Sequence, residues 1–179
     1  MCSYENVVIE TADILLKKAV QDDWKDMYEN LWKYKESAKY MFWDVTTSEE
    51  DAISRMERTI AFEKKEKYAL LVYEKRTGTA IGFAGMRELE PGVFEELGIA
   101  IGPAFTGRGY GKQILNALVQ EAFEHCHATE FRACCRKANL ASHNLQMSCG
   151  FSFSHEEERI DPRDGTPYVM EYNVKYHRE

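Results

Sequence analysis

The segment ELGIAIGPAFTGRGYGKQIL, residues 96–115, gathers the residue types that can hold an anion. A strand-like apolar run enters a turn made of Gly107, Arg108, Gly109, Tyr110, Gly111 and Lys112, after which the apolar period becomes helical. A glycine-rich turn that opens a helix presents main-chain N–H groups with no partner inside the helix, at the positive end of its dipole. Glycine lets an oxyanion approach without a Cβ in the way, and Arg108 and Lys112 add positive charge. A pyrophosphate fits this environment; a structural tight turn is the other reading of the same glycines. The GxxxxGK[ST] phosphate loop is absent because Gln113 follows Lys112, and a dinucleotide fingerprint would want parallel strands here.

The flanking elements decide between these readings. Residues 13–19 (DILLKKA) predict a short strand, and Val20, Trp24, Met27, Tyr28, Leu31 and Trp32 mark one face of a helix. Ser48 followed by Asp51 predicts the start of a second helix, whose stripe is Ile53, Met56 and Ile60. From Tyr68 the runs YALLVYE, AIGFAGMRE and FEELGIAIG, divided by Thr77-Gly78 and Pro91-Gly92, predict three antiparallel strands joined by hairpins. A long helix follows Gly109, and FRACC is the next strand. A short helix then opens at Asn139, a good N-cap, and ends at Gly150. Asp164-Gly165 turns a final hairpin, in which Tyr168, Met170, Tyr172, Val174 and Tyr176 alternate with other residues. The expected order is strand, two helices, three strands, helix, strand, helix, two strands. That is an α/β (α+β) fold with a mixed, mostly antiparallel sheet of about seven strands.

Composition removes several functions. The 179 residues carry 30 acidic against 23 basic side chains, a formal charge of −7, so nucleic acid is not the expected partner. The start MCSYENVVIE has no signal-peptide pattern and no stretch is long and apolar enough for a membrane span, so the expected location is the cytoplasm. Five cysteines (Cys2, Cys126, Cys134, Cys135 and Cys149) without CxxC spacing fit reduced thiols better than a disulfide frame or a zinc site. No repeat or linker divides the chain, so one domain over residues 1–179 is expected, with no metal.

In this context the residues resemble the GNAT superfamily of acetyltransferases, and its branch of ribosomal-protein N-terminal acetyltransferases in particular. The family's coenzyme A loop, Q/R-x-x-G-x-G/A, matches Thr106 to Gly111, and its N-x-x-S…GF block matches Asn139-Leu140-Ala141-Ser142 with Gly150-Phe151. Thr106 departs from the usual Gln or Arg, which removes a side-chain donor and leaves the loop amides. The resemblance implies acetyl-CoA as cosubstrate and a splayed pair of strands, residues 95–102 and 130–136, with the pantetheine arm in the gap. Main-chain groups of Ile99, Ala100 and Ile101 would then pair with it as an added strand does. In a regular strand Leu97, Ile99 and Ile101 pack on one face, while Glu96, Gly98, Ala100 and Gly102 share the open one; close helix packing is the other explanation of those small residues.

Acetyl transfer from a thioester needs a neutral amine, a donor to the developing oxyanion and a proton for the departing thiolate. Glu96, on the open face, is the candidate base, unless it is simply solvated or ion-paired. Glu95 points the other way, and Glu88 or Glu90 replaces Glu96 if a bulge shifts the register. Many relatives carry a tyrosine acid four residues before the glycine of the GF block, where this chain has Gln146. Ser142 resembles the serine assigned as acid or thiol-orienting group in the ribosomal branch; helix capping is its structural alternative. Asn139 either caps that helix or binds pantetheine, or does both, and His143 is read as surface or packing. A ping-pong route through Cys134 or Cys135 finds no activating partner nearby. Direct transfer to a primary amine is therefore the expectation, the acceptor being a small molecule or a protein N-terminus. Tyr40, Met41, Phe42 and Trp43 with Tyr168 either wall its pocket or plug the core edge. A non-catalytic coenzyme A sensor of the same fold is the competing class, a longer acyl group is the competing enzyme, and the tail strands offer a homodimer contact.

Overall fold

The computed structural model describes residues 7–178; Cys2 lies outside them. Strands β1 (Val8–Glu10), β2 (Ile14–Lys17), β3 (Tyr68–Glu74), β4 (Ala80–Glu90), β5 (Val93–Ile101), β6 (Glu130–Arg136), β7 (Ser152–Ile160) and β8 (Pro167–Tyr176) form one sheet. Its order is β1-β2-β3-β4-β5-β6-β8-β7, eight strands against the seven expected. The extra strand is β1, whose three residues are too short to show an alternation in sequence. All neighbours run antiparallel except β5 and β6, which are parallel.

Both faces of the sheet are covered, which is why all seven residues of β3 are buried. Leu70 and Val72 enter the core under α4 (Tyr110–Gln120), with Ile114, Leu115 and Leu118; α5 (Leu140–Ser148) lies on that side too, through Leu145. Leu71 and Tyr73 enter the opposite core with Met27, Leu31 and Trp32, and with Ala52 and Met56 of α3 (Glu49–Glu63). The N-terminal helical segment is a succession: a 3-10 turn at Gln21–Asp23, α1 (Trp24–Met27), a π turn at Tyr28–Trp32, then α2 (Lys35–Ala38). The expected cap of α3 is formed, since Ser48 accepts a hydrogen bond from the Asp51 amide at 3.1 Å. Asn139 likewise caps α5 by accepting from the Ser142 amide at 3.2 Å.

Two irregularities in β5 shape the centre of the molecule. It pairs with β6 only at Val93–Glu95 against Glu130–Arg132, while β6 continues its ladder with β8 as far as Arg136. Beyond Glu95, the β6-side edge of β5 is therefore left without a strand partner. Opposite β4, Met86 faces Glu96 and Ala84 faces Ile99, so the single residue Gly85 spans Leu97 and Gly98, a β-bulge with Gly98 at φ 104°.

The bulge corrects the expected parity. Glu96, Ile99 and Ile101 share the face of Met86 and Ala84, while Ala100 points into the opposite core with Phe83. Leu97 packs beside Gly85. Nor do the small residues leave a common space. A side chain at Gly102 would meet the Asn30 carbonyl at 2.1 Å, so that glycine exists for a close backbone approach.

Candidate active site

The gap between β5 and β6 opens into a cleft of about 530 Å³, lined by Glu96, Ile99, Ile101, Cys134, Asn139 and Ser142 among others, and reaching Thr106 and Gly111. Gly109 is the N-cap of α4 at φ 79°, and Gly107 sits at φ 74°. A Cβ at either would touch nothing within 4 Å, so both glycines face open space. Their main-chain N–H groups, with those of Arg108, Tyr110, Gly111 and Lys112, have no partner among the described residues; the first amide of the helix to be satisfied is that of Gln113, by Gly109. Gly111 serves packing, because a Cβ there would stand 3.3 Å from Leu145 of α5.

The loop's side chains are engaged elsewhere. Arg108 donates to Glu74 at 3.0 Å and to the Ala104 carbonyl at 2.9 Å, and the Tyr110 hydroxyl donates to the same Glu74 oxygen at 2.7 Å. Glu74, 1% exposed, is thus the post on which the turn is held. The Tyr110 hydroxyl chiefly, with Thr77, Arg76 and Arg108, outweighs burial and holds its carboxyl below the usual range. Sequence reading missed Glu74 because it lies on β3, and only an acidic residue ending an otherwise apolar strand hinted at it. Lys112 remains exposed.

Of the four carboxylates weighed as base, three are engaged at the β4–β5 hairpin. Glu95 accepts from Arg87 at 2.7 Å, Glu88 from the Gly92 amide at 3.1 Å, and Glu90 lies 3.7 Å from Arg132. Glu96 makes no hydrogen bond or ion pair among the described residues and lines the cleft. It is reached by solvent there, yet enough protein rings it that burial alone pushes its pKa up to about 7. Cys134, exposed on the cleft, is nonetheless pushed up to about 12 by the protein packed around it and by Glu96 and Glu95; burial first, then Glu171, raises Cys135 to about 11. Both thiols stay protonated and are poor nucleophiles.

Ser142 stands at the cleft on the first turn of α5. Behind it, the buried Gln146 donates to its hydroxyl and to the Cys134 carbonyl, both at 3.3 Å. Asn173 of β8 donates to Gln146 at 2.7 Å and to Glu171 at 2.8 Å. His143 meets Glu171 at 2.6 Å, so it is neither free surface nor apolar packing. The i, i+4 spacing of Ser142 and Gln146 was the only local sign of this cluster.

Tyr40, Met41 and Phe42 close one wall, while Trp43 lines a second cavity instead. Arg136 lies against Phe42 and Tyr168, 5.2 and 4.1 Å from their rings, and donates to Asp161 at 2.6 Å. Arg163 ties the same Asp161 to the Trp43 carbonyl. That second cavity, about 580 Å³, lies on the α3 side around Arg55, whose guanidinium stacks 4.6 and 4.4 Å from Trp32 and Trp43. Leu97 walls both cavities, but only the cleft holds Glu96, Ser142 and the way to the glycine loop.

A family model described as an acetyltransferase (GNAT) domain matches residues 13–152. Among solved structures, the chain is similar to an acetyltransferase (GNAT family) from Bacillus anthracis, with a TM-score of 0.82 at 17% identity over 95% of this chain and 98% of that one. It is also similar to a putative ribosomal-protein-serine acetyltransferase from Vibrio cholerae (TM-score 0.79, 22% identity, 97% and 99% covered). A third is the microcin C7 self-immunity acetyltransferase MccE in complex with acetyl-CoA and AMP (TM-score 0.79, 19% identity, 93% and 94% covered). No protein of curated function matches in sequence.

Proposed function

The chain belongs to the GNAT acetyltransferase family and is an acetyl-CoA-dependent acetyltransferase, and we propose that it acetylates a primary amine by direct transfer in a ternary complex. One observation carries the reading. A single cleft joins the free amides of the 107–112 turn to the unpaired edge of β5, an anion grip beside an extended slot. Acetyl-CoA matches that pair of features, with its diphosphate on the amides of Gly107 to Lys112 and its pantetheine beside Ile99, Ala100 and Ile101. Arg108, Tyr110 and Ala100 contribute main chain only, since their side chains are committed elsewhere. Asn139 holds the start of α5, which keeps Ser142 at the slot.

Bound there, acetyl-CoA supplies an acyl carbon activated as a thioester. Glu96 takes the proton of the amine, directly or through one water, and its raised pKa suits that task near neutral pH. A main-chain N–H at the bulge after Glu96 meets the negative charge that develops on the acyl oxygen. Ser142 passes its hydroxyl hydrogen to the departing sulfur, so that coenzyme A leaves as the thiol, and is reprotonated from solvent as Glu96 gives up the amine proton. The protonated cysteines argue against an acetyl-cysteine route.

The acceptor is a small-molecule amine or a protein N-terminus, approaching past Leu97 and the Phe42–Tyr168 wall. The protein is read as one domain over residues 1–179 working in the cytoplasm; among the described residues no helix is long and apolar enough to cross a membrane. A coenzyme-binding sensor is the second reading, favoured by Gln146 at the place of a family acid and by Thr106. Calorimetry with acetyl-CoA, followed by thiol release against a panel of polyamines, amino-acid amides and short peptides, separates the two. Binding with turnover supports the transferase, binding without turnover of any amine supports the sensor, and no binding ends both.

A further inference from the structure

Ser142 can serve as proton donor only if its hydrogen is free, and a hydroxyl flanked by an amide is free to give its hydrogen away in either direction. The neighbouring groups remove that freedom. At one end of the chain stands the Glu171 carboxylate, at the other the Cys134 carbonyl, and both only accept. Asn173 must therefore turn its NH2 toward Glu171, and Gln146 must turn its NH2 toward Cys134. Each NH2 has a second hydrogen. That of Asn173 goes to the Gln146 oxygen at 2.7 Å, and that of Gln146 to the Ser142 hydroxyl oxygen at 3.3 Å. Turning both amides over would set oxygen against oxygen at both ends. The orientation held instead leaves the Asn173 oxygen buried without a partner among the described residues, one acceptor left idle so that every donor of the chain finds one.

We propose that Glu171, Asn173 and Gln146 form a one-way hydrogen-bond chain that fills the acceptor side of the Ser142 hydroxyl and thereby directs its hydrogen into the cleft, toward the departing thiolate. The three are positioning residues. None lines the cleft, while Gln146, Asn173 and Glu171 are 0%, 1% and 6% exposed. His143 closes the outer end: facing an ionised Glu171 it carries its hydrogen on Nδ1. Burial alone would raise the Glu171 carboxyl, but donation from Asn173 and His143 brings it below its ordinary value, so it stays an acceptor. The Cys135 thiol beside Ser142 is held protonated and is a weak competitor for the hydroxyl hydrogen. On this account Gln146 does not leave the site without an acid; it prepares one.

The inference rests on the acetyl-transfer reading of the cleft, and the test keeps the two apart. kcat and KM for acetyl-CoA are measured for the full chain, Ser142→Ala, Gln146→Met, Glu171→Gln, and each of the last two combined with Ser142→Ala, using an amine the unaltered protein turns over. Gln146→Met should lower kcat roughly tenfold, a loss of about 1.4 kcal/mol in transition-state stabilisation, with KM within about twofold. In the Ser142→Ala background the same change should cost nothing further, because the chain acts only through that hydroxyl. Glu171→Gln keeps the shape and frees the direction, so roughly a threefold loss of kcat is expected, again absent without Ser142. It serves as the decisive variant if Gln146→Met does not fold. An equal loss in both backgrounds, or no loss, overturns the proposal while leaving acetyl transfer intact. A Ser142→Ala protein with full kcat overturns it as well. Failure of the unaltered protein to acetylate any amine brings down the functional reading and this inference with it.

Discussion

Replacing Glu96 by glutamine should move activity and stability in opposite directions. Among the described residues the carboxyl has no hydrogen bond or ion pair to offset its burial, which pushes its pKa up to about 7 from an ordinary 4.5. Raised in the fold, it keeps its proton where the unfolded chain has already lost it. Folding stability is then unaffected by this group below about pH 4.5, declines as pH rises towards 7, and stays at its lower level above that. The gap between the two pKa values corresponds to about 3 kcal/mol once the group is fully ionised. Glutamine has the same shape and never ionises. At pH 8 Glu96→Gln should raise the melting temperature by roughly 6–12 °C for a chain of this size, and at pH 4.5 the two proteins should melt nearly together.

Activity goes the other way. If Glu96 is the base, kcat/KM for the amine climbs with pH and levels off above an inflection near 7, and the variant loses on the order of a hundredfold and that inflection. The assay is thiol release from acetyl-CoA between pH 5.5 and 8.5, paired with thermal melts at the same pH values. A variant that keeps its rate would refute the catalytic assignment. A variant no more stable at pH 8 than the parent would refute the claim that burial, rather than some unseen partner, sets the pKa.

Three further outcomes follow from the same structure. Gly109→Val forces a branched side chain into φ 79° and into the space in front of the free amides, so calorimetry should find coenzyme A affinity at least tenfold weaker in folded protein; unchanged affinity puts the diphosphate elsewhere. Glu74→Gln removes the charge that Arg108 and Tyr110 share and should cost about 2 kcal/mol in denaturant melts, together with some coenzyme affinity, because the loop loses its post; a variant as stable as the parent would show that the loop holds itself. Arg136→Lys keeps the charge and loses both the guanidinium's contact with the Phe42 and Tyr168 rings and its fit to Asp161, so the KM for the amine should rise several-fold while that for acetyl-CoA holds. A rise in both would move that wall to the coenzyme's side.

What could be read from the residues was what is local. Glycines at positive φ before a helical period, a serine three residues before an aspartate, and an asparagine before a short amphipathic run each declare themselves within one turn of chain. So did the order of the long strands, because each is bounded by its own turn signal. The bulge in β5 was not readable: a period of two carries no mark of an inserted residue, and one extra residue turned Glu96 and Ala100 to opposite faces. Glu74 and the cluster behind Ser142 were not readable either. Their partners are separated along the chain by 34 residues from Arg108 to Glu74 and by 28 from His143 to Glu171, and only the packed sheet joins them.

On the proposed coenzyme assignment, the pairing of Arg108 with Glu74 bears on how an acidic chain would hold an acidic ligand. A cation aimed at the diphosphate would have to work against a net charge of −7, and salt would screen it. Main-chain amides at a helix terminus carry no net charge and need no counter-ion. They are already aligned by the helix, so little reorganisation is required when the ligand arrives. Spending Arg108 on Glu74 therefore stiffens the amide array at the expense of one exposed charge. Thr106 in place of a longer polar residue fits the same scheme, because it too leaves the work to the backbone. On that assignment the glycines and the post that holds them matter most, and the exposed Lys112 is an adjunct.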